Sequence, residues 1–144
     1  MNQQLILLPV LAQLVLVFIV WIRLYTTRVA EMRAKRIAPQ SIASAADSAV
    51  LLKNVAGPAD NFVNQFELPV LFYLVCVLLY IMQLANPLYL SLACAFVVMR
   101  YVHSFIHLTY NRVKHRFAAY LIGSCFLWAM WLLLSLKLLS NILN

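Results

Sequence analysis

Residues 88–110, LYLSLACAFVVMRYVHSFIHLTY, decide the fold of this chain. At 1.5 Å per residue a helix of this length runs about 34 Å, enough to cross the roughly 30 Å hydrocarbon core of a bilayer. Yet the stretch carries Arg100, His103, His107 and Tyr110 at i, i+3, i+7 and i+10, close to one helical face. Ionisable groups at membrane depth are costly and turn toward a protein interior or an aqueous cavity. The polar ladder therefore marks the candidate site.

The composition around it agrees. Of 144 residues, 65% are hydrophobic and 10% charged, and the mean hydropathy is +0.90, more apolar surface than a soluble domain can hide. The expected fold is all-α: an integral membrane four-helix bundle with up-down topology, in a single domain over residues 1–144. Its spans are predicted at Leu5 to Tyr25, Phe62 to Leu84, Leu88 to Tyr110 and Phe117 to Leu139. The first begins without a basic n-region and lacks a small-residue cleavage site, so it reads as a retained span, not a signal peptide. Ala85-Asn86-Pro87 is a tight turn, which makes spans two and three an antiparallel hairpin. Residues 26–61 read as a loop with one short amphipathic helix, and no internal repeat is evident.

Charge orients the bundle. Nine of the eleven basic residues lie in two connections: Arg23, Arg28, Arg33, Lys35, Arg36 and Lys53 at or after the end of span one, and Arg112, Lys114 and Arg116 between spans three and four. The positive-inside tendency places both basic loops in the cytoplasm and both termini on the opposite side, in a multi-pass protein expected in the cell inner membrane. These charges flank spans without an aromatic-basic module, so the expected partners are anionic lipid head groups and not nucleic acid.

The second span opens with Pro58-Ala59-Asp60-Asn61-Phe62-Val63-Asn64-Gln65-Phe66-Glu67-Leu68-Pro69. Pro58 and Asp60 suit a helix start, and Asp60, Asn64 and Glu67 fall on one face at i, i+4 and i+7. Glu67 enters the membrane and needs a partner. Arg100 is the candidate, although it sits about 15 Å below the cytoplasmic end of span three, which requires a snorkelling side chain or a longer span two. Pro69 removes a backbone hydrogen bond and is expected to kink the helix.

Other features have plainer readings. An Arg100–Glu67 ion pair would also serve simply to fix helix register. His103 and His107 at i and i+4 have metal-ligand spacing with Glu67 as a third donor, but such pairs in apolar helices are more often satisfied by hydrogen bonds, and no metal is expected. Cys76, Cys94 and Cys125 lack metal-type spacing and read as small packing residues. Tyr110 suits interfacial anchoring, Trp21, Trp128 and Trp131 need no ligand, and Gly123-Ser124 reads as a close helix contact.

Asn64-Gln65-Phe66-Glu67-Leu68-Pro69, then Arg100-Tyr101-Val102-His103, then a basic loop ending at Arg116, resembles the MAPEG family, the membrane-associated proteins of eicosanoid and glutathione metabolism. The resemblance covers essentially the whole chain. It implies homotrimers of four-helix protomers, with glutathione held between subunits near the cytoplasmic side in the enzymatic members. By the same resemblance Asn64, Glu67, Arg100, His103 and His107 would help to hold glutathione. Arg116 would stabilise its thiolate, a role that Arg112 or Lys114 would fill under a small register shift. Two positions depart from the pattern: Asp60 stands where many active members carry arginine, and His107 where a tyrosine is common. Arg28 or Lys53 would have to supply the cation missing at Asp60.

Two function classes follow. The first is a glutathione-dependent transferase or peroxidase acting on lipophilic electrophiles or hydroperoxides, and the second a non-catalytic scaffold or lipid-binding accessory subunit. A proton or ion pathway along the histidines is a third, weaker reading, because four spans without a repeat offer little for alternating access.

Overall fold

The computed structural model describes residues 2–143. Among the described residues there are six α-helices: α1 (Leu7–Lys35), α2 (Ala45–Leu51), α3 (Ala56–Asn64), α4 (Leu68–Ile81), α5 (Pro87–Leu108) and α6 (Val113–Leu143). Short 3-10 turns precede α1, α2 and α3. Four helical stretches are long and apolar enough to cross a membrane: Gln3–Lys35, Lys53–Ile81, Pro87–Leu108 and Val113–Leu143. The expected all-helical, four-span bundle is therefore the observed one.

The second span begins six residues before the expected Phe62 and ends at Ile81, three short of Leu84, and the fourth extends four residues beyond both expected ends, Phe117 and Leu139; two larger differences each have a local reason. The first helix runs ten residues beyond the expected Tyr25, because residues 26–35 hold good helix formers and a Glu31–Lys35 pair at i, i+4, with no stop signal. It ends where Arg36 adopts a left-handed conformation (φ 53) and the Ile37 amide donates back to the Met32 carbonyl. The second span is not kinked but broken: α3 stops at Asn64 and α4 restarts at Leu68. Pro69 has no N–H to offer the Gln65 carbonyl and its ring would crowd it, so the proline is accommodated in the first turn of a new helix instead.

The turns follow their residues. Asn86 caps α5 by accepting from the Tyr89 amide at 3.1 Å, with Pro87 in the first turn. Between α5 and α6, Asn111 takes φ 44 and its amide reaches the Ile106 carbonyl at 2.8 Å. Tyr110 lies in this turn, exposed, so the fourth rung of the ladder leaves the helix. The Gln3 side chain clasps both backbone groups of Ala85, donating at 3.1 Å and accepting at 2.8 Å, which ties the start of the chain to the α4–α5 turn.

The core gathers Ile6, Phe72, Val75, Cys76, Leu79, Ala93, Phe96, Leu127, Met130 and Leu134, with Phe72 and Phe96 stacked at 4.6 Å. α6 packs chiefly on α5, and α1 on α3, α4 and α5. At Gly123 a Cβ would stand 3.3 Å from that of Met99, so the glycine permits the close α5–α6 approach. Only 28% to 44% of each hydrophobic stretch is buried within the chain, and Phe18, Trp21, Val98, Phe105, Leu121 and Trp128 face outward. Cys94 and Cys125 are also exposed, so only Cys76 fits the packing role expected of all three.

Candidate functional site

A helix that ends inside a membrane leaves four backbone carbonyls without intrahelical donors, and hydrocarbon supplies none. At the end of α3 each finds one. Gln65 Nε2 donates to the Asn61 carbonyl at 3.1 Å, the Gln65 amide to Phe62 at 3.1 Å, and the Phe66 amide to Val63 at 2.8 Å. The fourth, on Asn64, accepts a 2.6 Å hydrogen bond from Arg100 Nη2. A cation at this terminus also complements the negative end of the helix dipole.

Beside the break lies a fully buried amide cluster. Gln13 Nε2 of α1 donates to Gln65 Oε1 at 3.0 Å, and Gln65 Nε2 donates to Asn61 Oδ1 at 3.0 Å and Ser104 Oγ at 3.1 Å. Ser104 Oγ donates to Asn61 Oδ1 at 3.0 Å, and Asn61 Nδ2 to the Ser104 carbonyl at 3.3 Å. Three spans are thus pinned around Gln65. Asn61 and Gln65 lie in the 58–69 stretch that opens the second span, but the sequence attaches no role to them, to Gln13 or to Ser104. Gln13 was the available signal, a lone amide in the middle of an apolar span, which must find a polar partner in a neighbouring helix.

Moving along α5, His103 bridges two elements: Nε2 stands 3.5 Å from Asn64 Nδ2, and Nδ1 lies 3.2 Å from the Arg116 carbonyl, where that nitrogen must carry the proton and donate. Nε2 is then an acceptor for the Asn64 amide. The His107 ring meets His103 edge-on at 5.8 Å, and Tyr120 of α6 tilts against it at 5.9 Å. Arg100, His103 and His107 are all buried, and Tyr73, Tyr120 and Glu67 act electrostatically on Arg100. Arg100 Nε and Nη1, His107 Nδ1 and the Tyr73 hydroxyl have no hydrogen-bond partner. Arg100 therefore spends one of its five N–H groups on the helix break and keeps four, three of them on Nε and Nη1, for another acceptor.

The expected residues divide into groups. Asn64, Arg100, His103 and His107 converge, joined by the backbone of Arg116. The Arg116 guanidinium turns away, with Nη1 donating to Asn111 Oδ1 at 2.8 Å. Glu67 is exposed, and the expected Glu67–Arg100 ion pair is absent; among the described residues the ion pair within 4.0 Å is Glu31–Lys35. The break explains this: once α3 ends at Asn64, Glu67 no longer continues the Asp60–Asn64 face. The depth mismatch also resolves, since Arg100 lies eight residues, about 12 Å, from the end of α5 and is level with the α3 terminus it caps. Arg28 stands apart, lining a cavity between α1, α2 and α3 that Asp60 also lines.

The unpaired N–H groups of the buried Arg100 guanidinium suit an anionic ligand. Among the described residues no three His, Cys, Asp or Glu side chains converge to hold a metal ion.

No curated protein and no solved structure matches the chain. The sequence model of the MAPEG family matches residues 6–136, nearly its whole length. With four apolar spans and a polar cluster set between the second, third and fourth of them, the chain belongs to the MAPEG family.

Proposed function

We propose that this protein is a membrane glutathione transferase or peroxidase acting on lipophilic electrophiles or hydroperoxides. The observation that carries the reading is Arg100: 2% exposed, and fastened by Nη2 to the Asn64 carbonyl while Nε and Nη1 remain unpaired. A buried cation with free donors, beside Asn64 and His103, is a ready anion site.

In this reading Arg100, Asn64 and Glu67 position glutathione, Arg28 takes a carboxylate, and His103 and His107 hold the proton balance around it. When bound, glutathione would supply a thiolate that forms a C–S bond with an electrophilic carbon as the leaving group departs with its bonding pair, or that, together with a second glutathione, reduces a hydroperoxide to an alcohol and water while the two thiols become the disulfide. A thiol of pKa near 8.5 is largely protonated at neutral pH, so a nearby guanidinium raises the attacking fraction. Arg116 has that role once its side chain swings from Asn111 toward His103, whose ring already touches its backbone. The apolar partner enters from the bilayer, for which a groove of about 370 Å³ between α1 and α5, lined by Leu16, Ile19, Tyr101, Phe105 and Leu108 with Arg23, offers a path. The functional unit in this reading is a homotrimer in the cell inner membrane, with both basic loops cytoplasmic.

The test is turnover by the detergent-purified protein, with glutathione and either an activated chloroaromatic or an organic hydroperoxide. Wild type is expected to turn over at least one of them, and Arg116→Ala to lose most of that rate. Absence of turnover with both substrates supports the second reading, a non-catalytic scaffold or lipid-binding subunit. That reading draws on the Arg116 guanidinium being committed to Asn111 and on the exposure of Glu67.

A further inference from the structure

Arg100 is a full positive charge inside the apolar bundle, 2% exposed, and a guanidinium keeps its proton in a protein. Burying such a charge is costly unless a counter-charge accompanies it. Among the described residues no carboxylate pairs with it, since the ion pair within 4.0 Å is Glu31–Lys35 on the extension of α1. Its bond to the Asn64 carbonyl satisfies a backbone group without adding negative charge, and its neighbours His103, His107, Tyr73 and Tyr120 add none. Donors for a counter-charge are nevertheless in place. Arg100 Nε and Nη1 and the Tyr73 hydroxyl are buried without hydrogen-bond partners, which makes three N–H groups and one O–H without an acceptor. Tyr73 stands beside Phe72, which stacks on Phe96 at 4.6 Å, and Phe96 lies one turn before Arg100 on α5, about 6 Å along its axis. Tyr73 and Arg100 also act electrostatically on each other.

We propose that a small monovalent anion, of which chloride is the probe, is the counter-ion of Arg100, held by its Nε and Nη1 and by the Tyr73 O–H. One negative charge balances one guanidinium, and the enclosure admits only a compact ion. A water molecule would bring two more donors and no charge, whereas an anion accepts from all the groups at once. The inference rests on charge balance and not on the glutathione reading. In that reading the anion holds the guanidinium until a glutathione carboxylate displaces it, so that anion and peptide compete for the same N–H groups.

The detergent-purified full chain, dialysed free of halide into sodium gluconate, is unfolded by heat as gluconate is exchanged for chloride at constant ionic strength and without glutathione. Wild type is expected to gain about 3 °C for a tenfold rise in chloride above its Kd, the linkage of a ligand that binds only the folded state. Arg100→Met should gain nothing, and Tyr73→Phe, which keeps the ring and loses only the hydroxyl, should need several times more chloride for the same gain. Arg33→Gln, which removes an exposed cation on the extension of α1, should respond as wild type does. Equal midpoints in chloride and gluconate for wild type overturn the site, as does a gain that persists in Arg100→Met, is unchanged in Tyr73→Phe or disappears in Arg33→Gln. Each of these outcomes leaves the glutathione reading standing, because that reading is tested by turnover with the peptide.

Discussion

Arg100 of α5 caps the broken end of α3, its Nη2 donating to the backbone carbonyl of Asn64 at 2.6 Å. The residue that looked like the partner of a buried carboxylate is instead the partner of a backbone group, and the break it stabilises brings Asn64 to His103. Structure and candidate chemistry thus share one guanidinium.

Replacing Arg100 by methionine sets two effects against each other. The Asn64 carbonyl loses its donor, at about 1–3 kcal/mol, while removal of a buried cation with unpaired N–H groups relieves a penalty of similar size. The net change in thermal unfolding is expected to stay within about 1 kcal/mol. Hydrogen exchange, by contrast, should rise locally at residues 65–68. Unchanged exchange there would show that the carbonyl does not depend on Arg100.

Gln65→Leu removes four bonds at once, to Gln13, Ser104 and two acceptors on Asn61. Interhelical hydrogen bonds in membranes average about 0.6 kcal/mol, so the loss should reach about 2 kcal/mol, read as earlier unfolding in detergent. Adding Gln13→Leu should recover part of it, because the orphaned Gln13 amide is removed too. Purely additive losses would mean that the two glutamines do not interact.

Gly123 tests the α5–α6 contact. Alanine asks Met99 to yield by a few tenths of an ångström, whereas leucine drives the helices apart at about 1–3 kcal/mol. The expected order of thermal stability is glycine, alanine, leucine. A leucine variant as stable as wild type contradicts the packing.

The connection between α1 and α3 is latched by Glu31, which pairs with Lys35 at 2.6 Å and accepts from the Asn54 amide at 3.1 Å, while Lys35 donates to the Leu51 carbonyl at 2.8 Å. Glu31→Ala should speed limited proteolysis within residues 36–55 severalfold and leave the spans protected. Cleavage at the wild-type rate would mean that the latch holds nothing.

The spans were legible because hydrophobic runs of bilayer length have few other uses, and the α4–α5 turn because Asn86 and Pro87 are strong local signals. The ladder correctly pointed inward at Arg100, His103 and His107. Partnerships were harder to read. Pro69 announced a disturbance, but whether a helix bends or stops depends on who receives its carbonyls, and those donors, Gln65 and Arg100, act through tertiary contact. Glu67 was assigned to Arg100 on the assumption of a continuous helix, and the stop at Asn64 removed it from that face. The helix over residues 26–35 is hard to read because its charges resemble those of a loop, although the Glu31–Lys35 spacing supports a helical pair.

The most direct measurement of the central claim is equilibrium binding of glutathione to the detergent-purified protein, wild type beside Arg100→Met. The account predicts one saturable site in wild type with a Kd below about 1 mM, weakened at least about tenfold in the variant. No saturable binding to wild type, or equal affinity in both proteins, would contradict it.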